Sequence, residues 1–240
     1  MQAGDKETSG MGTRSKGKEP FAITKAIPLM RQAVVPYPKA ALNAIKDAGY
    51  GSLFAQIIAC VISIRTLDEL TLPIGLRLFA RAASPEAIAR LSEQEIAALI
   101  APASFHTTKA KTIRAIALRT VNEFGGQLPA DVATLMSLHG IGPKCAHLAL
   151  GIACGLPVGI GVDTHVHRVT NRWGLVATRN PEQTRVALER TVPREYWIEL
   201  NEYIVPFGKH ICTLRKPRCR ECPLLPMCQQ VGVVGAKAKA

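Results

Sequence analysis

Two ionisable residues, Lys144 and Asp163, stand where their side chains could take part in covalent chemistry. Lys144 follows Gly140-Ile141-Gly142-Pro143, a Gly-x-Gly turn between two helix-like segments, with a proline suited to the first position of a helix. An amine in the first helical turn lies near the positive end of the helix dipole, which favours its uncharged, nucleophilic form. Lys144 is therefore a candidate nucleophile for imine formation at a sugar C1′.

Asp163 precedes a predicted helix over residues 164–173. A carboxylate at a helix start is favoured in its ionised form, so it would supply a fixed anion beside the amine. A purely structural interpretation competes with this one: Lys144 would touch phosphate and Asp163 would only cap a helix. Residue types alone favour the structural interpretation, because helix caps are far commoner than active sites.

The same turn is a candidate phosphate site. Its two glycines allow backbone N–H groups to approach a ligand closely, and the helix N-terminus that follows attracts anions. The predicted contact residues are Gly140, Ile141, Gly142 and Pro143.

Four of the seven cysteines lie within 17 residues near the end of the chain, as Cys212-x6-Cys219-x2-Cys222-x5-Cys228. No secretory signal is visible, so the crowding favours metal ligation over disulfides. Thiolate clusters bind zinc or iron–sulfur groups, and zinc sites more often show two Cys-x2-Cys pairs. The cations Arg215, Lys216 and Arg218 lie in this loop and are candidates for contacting a polyanion.

The remaining cysteines lack a comparable partner set. Cys60 and Cys154 fall on apolar helix faces, which predicts small core residues. Cys145, directly after Lys144, is assigned no chemistry.

Two segments carry a family resemblance. LHGIGPKCA (residues 138–146) and VDTHVHRVTNR (residues 162–172) resemble the LPGVGRKTA and VDTHVxRVxNR motifs of the endonuclease III family of DNA glycosylases. The x6-x2-x5 cysteine spacing looks like that family's [4Fe–4S] loop. The resemblance extends from about Ser52 to Cys228, and it implies that Lys144 is the catalytic amine, Asp163 the catalytic carboxylate and the four cysteines the cluster ligands.

Two loops depart from the family pattern. Arg65 stands where the family commonly carries Gln, and Phe105 lies in Pro102–His106, where a Gly-Leu/Ile-Tyr-like sequence is usual. The resemblance implies that Arg65 and Phe105 contact DNA and fill the gap left by an extruded nucleotide. For Phe105, an ordinary buried side chain is the alternative.

The implied function is a bifunctional glycosylase and AP lyase that removes oxidised pyrimidines from damaged double-stranded DNA. A glycosylase directed at pyrimidine dimers or mismatches remains open, as does a non-catalytic module that binds damaged DNA. An adenine glycosylase would usually lack lysine at position 144, and an electron carrier fits a long basic chain poorly. The excess of Lys and Arg over Asp and Glu, 30 against 18, agrees with a nucleic acid partner.

The elements that must position these residues are helical. Aromatic residues are scarce, at 5%, and the patterns predict helix after helix without strands. We expect an all-α fold of two lobes: a six-helix unit over 50–156 with the helix-hairpin-helix, and a cluster unit of 23–49 plus 157–230. We further expect a disordered basic tail over 1–22 and a second tail over 231–240.

No segment has the ~20 apolar residues that a membrane span needs. We therefore expect no membrane partner. We also expect a monomer that is located in the cytoplasm, and associated with the nucleoid if the source is a prokaryote.

Overall fold

The structure is a computed structural model that describes residues 18–233. Within them it has twelve α-helices, two short 3-10 helices and no strand, which confirms the all-α prediction. The α-helices are α1 (Ile23–Val34), α2 (Ala41–Asp47), α3 (Leu53–Ser63), α4 (Asp68–Arg81), α5 (Pro85–Ala89), α6 (Glu93–Ile100), α7 (His106–Phe124), α8 (Val132–Met136), α9 (Pro143–Cys154), α10 (Thr164–Trp173), α11 (Pro181–Thr191) and α12 (Trp197–His210). None of these helices is long and apolar enough to cross a bilayer.

Short polar side chains begin several helices, as their sequences predict. The Ser92 hydroxyl accepts a hydrogen bond from the Glu95 N–H, and the Glu95 carboxylate accepts one from the Ser92 N–H, which completes a capping box at α6. Ser84 and Asn180 cap α5 and α11, each ahead of a proline at the first helical position. The boundaries of the helices around the site are thus encoded locally.

The helices pack around two hydrophobic cores. The larger lobe is α2 to α9, with a core built from residues between Leu42 and Ile152. The smaller lobe joins α1 to residues between Ile160 and Cys228. In the larger core, α3 is apolar on nearly every face, and it is buried from Phe54 to Ile62.

The first two helices belong to different lobes. Helix α1 runs through Pro28, because Ile27 and Met30 on its buried face fill the smaller core. The predicted division put α2 with the cluster unit, whereas Leu42 and Ile45 of α2 lie in the larger core. Residues 50–156, all described, contain seven α-helices, α3 to α9, rather than six.

The chain ends also differ from the prediction within the described residues. The Lys18 ammonium donates a hydrogen bond to the Cys228 carbonyl at 2.6 Å, and the Phe21 ring stacks on Trp173 with centroids 4.7 Å apart. At the other end, the Val231 N–H bonds the Arg172 carbonyl at 3.0 Å. Disorder is therefore wrong for residues 18–22, and residues 231–233 are tied to the smaller lobe; residues 1–17 and 234–240 lie outside the described residues.

Candidate functional site

A cleft of about 740 Å³ is lined by residues from both lobes. Its walls include the loop between α3 and α4, the start of α9 and the start of α10. Lys144 and Asp163 both line this cleft, and both also line an adjoining cavity that reaches Asn201. The structure therefore brings the two candidate residues to one cavity, each from the beginning of its own helix.

Asp163 is the N-cap of α10. Its Oδ1 accepts hydrogen bonds from the His165 N–H at 2.9 Å and the Val166 N–H at 2.8 Å. Both bonds use the same oxygen, so Oδ2 keeps its lone pairs for another partner. The capping role is real, and it leaves half of the carboxylate available at the cleft.

Lys144 is the second residue of α9, which begins at Pro143 after the N-cap Gly142. No side chain caps this helix start. The side chain of Lys144 is half-buried, and no residue of the described chain bonds or pairs with its ammonium. The amine is thus held by its backbone position at the rim of the cleft rather than by a salt bridge.

The turn before α9 has the predicted hairpin conformation. Gly140 is exposed and has φ +80°, in the left-handed region, and an added Cβ would lie 3.3 Å from Thr112 Cγ2. Ile141 is different from its neighbours, because its side chain is buried in the larger core. Any contact of Ile141 with a ligand must therefore use its backbone.

Arg65 and Phe105 are exposed and lie side by side. The guanidinium carbon of Arg65 lies 5.6 Å from the centroid of the Phe105 ring, within cation–π range. Phe105 is 61% exposed, so the alternative of an ordinary buried phenylalanine is wrong. Arg65 itself lines the cleft.

The cysteine loop is held by Arg172, a buried residue of α10 that the sequence analysis did not single out. Its guanidinium donates hydrogen bonds to the carbonyls of Thr213 at 2.7 Å and Leu214 at 2.6 Å. Arg168, one turn earlier, donates to the Gly208 carbonyl at 2.9 Å. The four-residue spacing that puts both arginines on one helix face was the available signal.

The cations on the loop's outer side are all exposed: Arg215, Lys216 and Arg218.

Cys212, Cys219, Cys222 and Cys228 line a single cavity, whose apolar walls include Trp173 and Phe207. Burial raises the pKa of the Cys222 thiol to about 12 and that of Cys228 to about 11. Across residues 18–233, no three Cys, His, Asp or Glu side chains stand in an arrangement ready to hold a metal ion. Support for a cluster therefore comes from the donor set and the shared cavity.

Three more charged residues at the cleft were missed by the sequence analysis. Lys209 on α12 bonds Glu69 on α4 at 2.5 Å and lies 3.8 Å from the carboxylate of Asp68. The bond to Lys209 is the main cause that lowers the pKa of Glu69. These ion pairs connect the two lobes beside Lys144 and Asp163, and only the folded arrangement reveals them.

The other cysteines behave differently from their predicted roles. Cys60 is buried, as expected, but it forms a disulfide with Cys145, which joins α3 to the helix that carries Lys144. Cys154 is exposed rather than part of the core. A pairing across 85 residues of sequence has no local signal.

Comparison with known proteins agrees with this architecture. Residues 58–194 match the family described as HhH-GPD superfamily base excision DNA repair protein. Endonuclease III-like protein 1 of Bos taurus is 40% identical over 177 residues, which are 73% of this chain and 58% of that protein. Endonuclease III of Thermotoga maritima is 36% identical over 176 residues, 73% of this chain and 82% of that protein.

The solved structures include a non-covalent endonuclease III–DNA complex, which superposes with a TM-score of 0.75 and 26% identity. The match covers 87% of this chain and 94% of that one. The fold and the matched region thus define a helix-hairpin-helix protein of the base excision DNA repair superfamily. The chain belongs to the endonuclease III family within it. It spans less than two thirds of the length of its vertebrate relatives, 58% of the bovine and 61% of the chicken protein.

The role of Arg172 can be tested by Arg172→Met, which removes the donors that hold the loop. We expect faster amide exchange in a peptide covering residues 211–218 and a loss of about 1–3 kcal/mol in the free energy of unfolding, because the carbonyls of Thr213 and Leu214 lose their partner. Arg172→Lys keeps the charge without the planar fork and should restore only part of this protection. Arg220→Met, at an exposed neighbour, is the matched control. Unchanged exchange in Arg172→Met would contradict the assignment.

Proposed function

We propose that the chain is a DNA glycosylase with AP lyase activity that removes oxidised pyrimidines from double-stranded DNA and acts as a monomer. The observation that carries the proposal is that Lys144 and Asp163 line one cleft in a protein of this superfamily. An enzyme that acts on a base must first take the nucleotide out of the duplex. A cleft of about 740 Å³ falls within the range of ordinary ligand sites and has room for such a nucleotide.

In the proposed reaction, the free amine of Lys144 attacks C1′ of the extruded nucleotide. The base leaves with the electron pair of the glycosidic bond and takes up a proton. The Asp163 carboxylate stabilises the positive charge that develops on the sugar. Loss of protons from the attacking nitrogen and opening of the sugar ring give an imine between Lys144 and C1′.

Strand cleavage follows from the imine. Removal of a proton from C2′ expels the 3′ phosphate, which breaks the C3′–O bond. Hydrolysis then frees Lys144 for the next turnover. Asp163 has the uncommitted oxygen Oδ2 for these proton movements, while Oδ1 remains engaged in the cap.

Two surfaces are proposed to grip the DNA backbone. The turn formed by Gly140, Ile141, Gly142 and Pro143 leads into the uncapped start of α9, whose first free backbone N–H groups are offered to a phosphate. The exposed cations Arg215, Lys216 and Arg218 offer a second contact, and their loop is fixed before binding, which reduces the entropy lost on association. The formal charge of +12 supports binding that weakens with salt.

We propose a [4Fe–4S] cluster on Cys212, Cys219, Cys222 and Cys228. Cysteine thiolates are the usual ligands of such clusters, and these four share a cavity beneath the basic loop. When bound, the cluster supplies structural bracing, because it ties both ends of the loop to one rigid body. The chain's own contribution is Arg172, which holds the loop carbonyls and lies 3.6 Å from the Cys212 sulfur.

The site of action is proposed to be the cell's DNA, in the nucleoid of a prokaryote. Location varies among the relatives, since two from Arabidopsis thaliana are described as chloroplastic.

Lys144→Gln tests the nucleophile. We expect borohydride trapping on duplex DNA containing thymine glycol to disappear while binding persists, because the amide cannot form an imine. Lys25→Gln, at an exposed lysine of α1, should trap like the unmodified protein. Trapping that survives in Lys144→Gln would remove Lys144 from the mechanism.

Asp163→Asn separates the capping role from the catalytic role. Asparagine caps helices as well as aspartate, so the free energy of unfolding should stay within a few tenths of a kcal/mol, whereas Asp163→Ala should cost about 1 kcal/mol. Base release in Asp163→Asn should nevertheless fall by about 10²–10³-fold, because the charge is lost. Single-turnover release and urea unfolding measure the two effects. A normal release rate would reduce Asp163 to a cap.

The cluster is tested by colour and metal content. We expect purified protein to be brown, with about four iron atoms per chain. Cys222→Ser should lose this absorbance and weaken DNA binding, whereas Cys154→Ser, at an exposed cysteine outside the loop, should keep both. A colourless protein with one zinc per chain would overturn the assignment.

A further inference from the structure

Lys109 is a buried lysine of α7 without an acidic partner among the described residues. Its side chain is on the inner face of a helix whose other lysine, Lys111, is exposed. Only 6% of Lys109 is accessible to solvent. A buried cation must have its donors satisfied, so its hydrogen bonds identify its role.

The Lys109 ammonium has three N–H donors, and three oxygen atoms of the protein accept hydrogen bonds from it. It bonds the carbonyl of Ile62 at 2.7 Å, the carbonyl of Ile64 at 2.6 Å and the hydroxyl of Thr66 at 2.9 Å. Ile62 and Ile64 are at the C-terminal end of α3, where carbonyls lack helical partners and attract a cation. Burial lowers the pKa of Lys109 to about 8, and the three acceptors around the side chain favour its protonated form.

Through Thr66 the bonds reach a second loop. The Thr66 hydroxyl also accepts a hydrogen bond from the Ser104 N–H at 3.2 Å. One lysine therefore connects the loop after α3 with the loop before α7. Arg65 lies between two of the residues that Lys109 bonds, and Phe105 is next to Ser104.

The backbones of Arg65 and Phe105 both need support. Their φ values are +54° and +57°, in the left-handed region that is unfavourable for residues with a side chain. Such a backbone is strained, and it persists only where neighbouring contacts hold it. The side chains of these two residues are both exposed to solvent, and they contact each other.

We propose that Lys109 is a positioning residue for the repair reaction: its three hydrogen bonds hold the Arg65 and Phe105 loops in register, so that the two side chains enter the DNA stack as one unit. This inference rests on the proposed glycosylase and lyase function. Lys109 does not touch the DNA. It acts through two residues that fill the space left by the extruded nucleotide.

A general role in stability makes a different prediction from a positioning role. A duplex leaves a gap when its lesion is extruded, and the gap must be filled. Single-stranded abasic DNA leaves no gap, yet it requires the same Lys144 chemistry. Loss of positioning should therefore slow the reaction on the duplex alone, whereas general damage to the fold should slow both.

The test uses Lys109→Met and Thr66→Val. Thr66→Val removes only the bridging hydroxyl and avoids any change to the buried charge, so it stays informative if Lys109→Met folds poorly. Lys46→Met is the matched control, because Lys46 also bonds a backbone carbonyl, that of Ile152 at 2.8 Å, but away from both loops.

We expect base release from a thymine-glycol duplex to slow by about tenfold in both test variants, which corresponds to the loss of a hydrogen bond of ordinary strength. Lyase activity on single-stranded abasic DNA should stay unchanged. Lys109→Met should add little to a variant that already carries Arg65→Ala and Phe105→Ala. A 2-aminopurine placed opposite the lesion should brighten on binding to the unmodified protein and less on binding to the variants.

Equal slowing on both substrates, or a normal duplex rate in both test variants, would overturn the proposal. So would a full additional loss when Lys109→Met is combined with the Arg65 and Phe105 substitutions. If the unmodified protein cleaves neither substrate, the proposed function fails. The 2-aminopurine signal then still decides whether Lys109 positions the two side chains.

Discussion

The link between α9 and α10 passes so close to α9 that parts of it have no room for side chains. A Cβ added at Gly159 would collide with the His147 ring, and one at Gly161 would collide with Leu148. The link is also held from the smaller lobe, where the side-chain amide of Asn201 donates to the Gly161 carbonyl at 3.0 Å. Because the link cannot move away from α9, the first turn of α10 must start beside the first turn of α9. The joint position of Lys144 and Asp163 depends on this contact.

The sequence could predict both of those residues because their signals are local. A proline after a Gly-x-Gly turn marks the start of α9, and an aspartate before Thr164 marks the start of α10. The cysteine spacing is local in the same way. What the sequence could not predict is which lysine of α7 is buried. Lys109 and Lys111 are the same residue type two positions apart, and only the packing against α3 separates them.

The wrong predictions also arise because tertiary packing cannot be read from the local sequence. Cys60 and Cys154 both fall on apolar faces, but Cys154 is the last residue of α9, where the helix leaves the core. The predicted division left α2 outside the larger unit, but Leu42 and Ile45 pack into the core of that unit. For Phe105, only the alternative of a buried side chain is wrong, because the ring is exposed beside Arg65. In each case tertiary contacts decide against the local preference.

The positive charge of the chain therefore has two distinct uses. Lys109 and Arg172 are buried, and their donors hold backbone carbonyls at 2.6–2.7 Å. The exposed cation Arg65 lies on the loop held by Lys109, and the exposed Arg215 directly follows the loop carbonyls held by Arg172. The net charge overstates the positive charge that DNA can contact, because some of the cations are buried. The buried cations fix the loops whose outer cations are proposed to meet phosphates and bases, so the ordering of those loops is complete before DNA arrives.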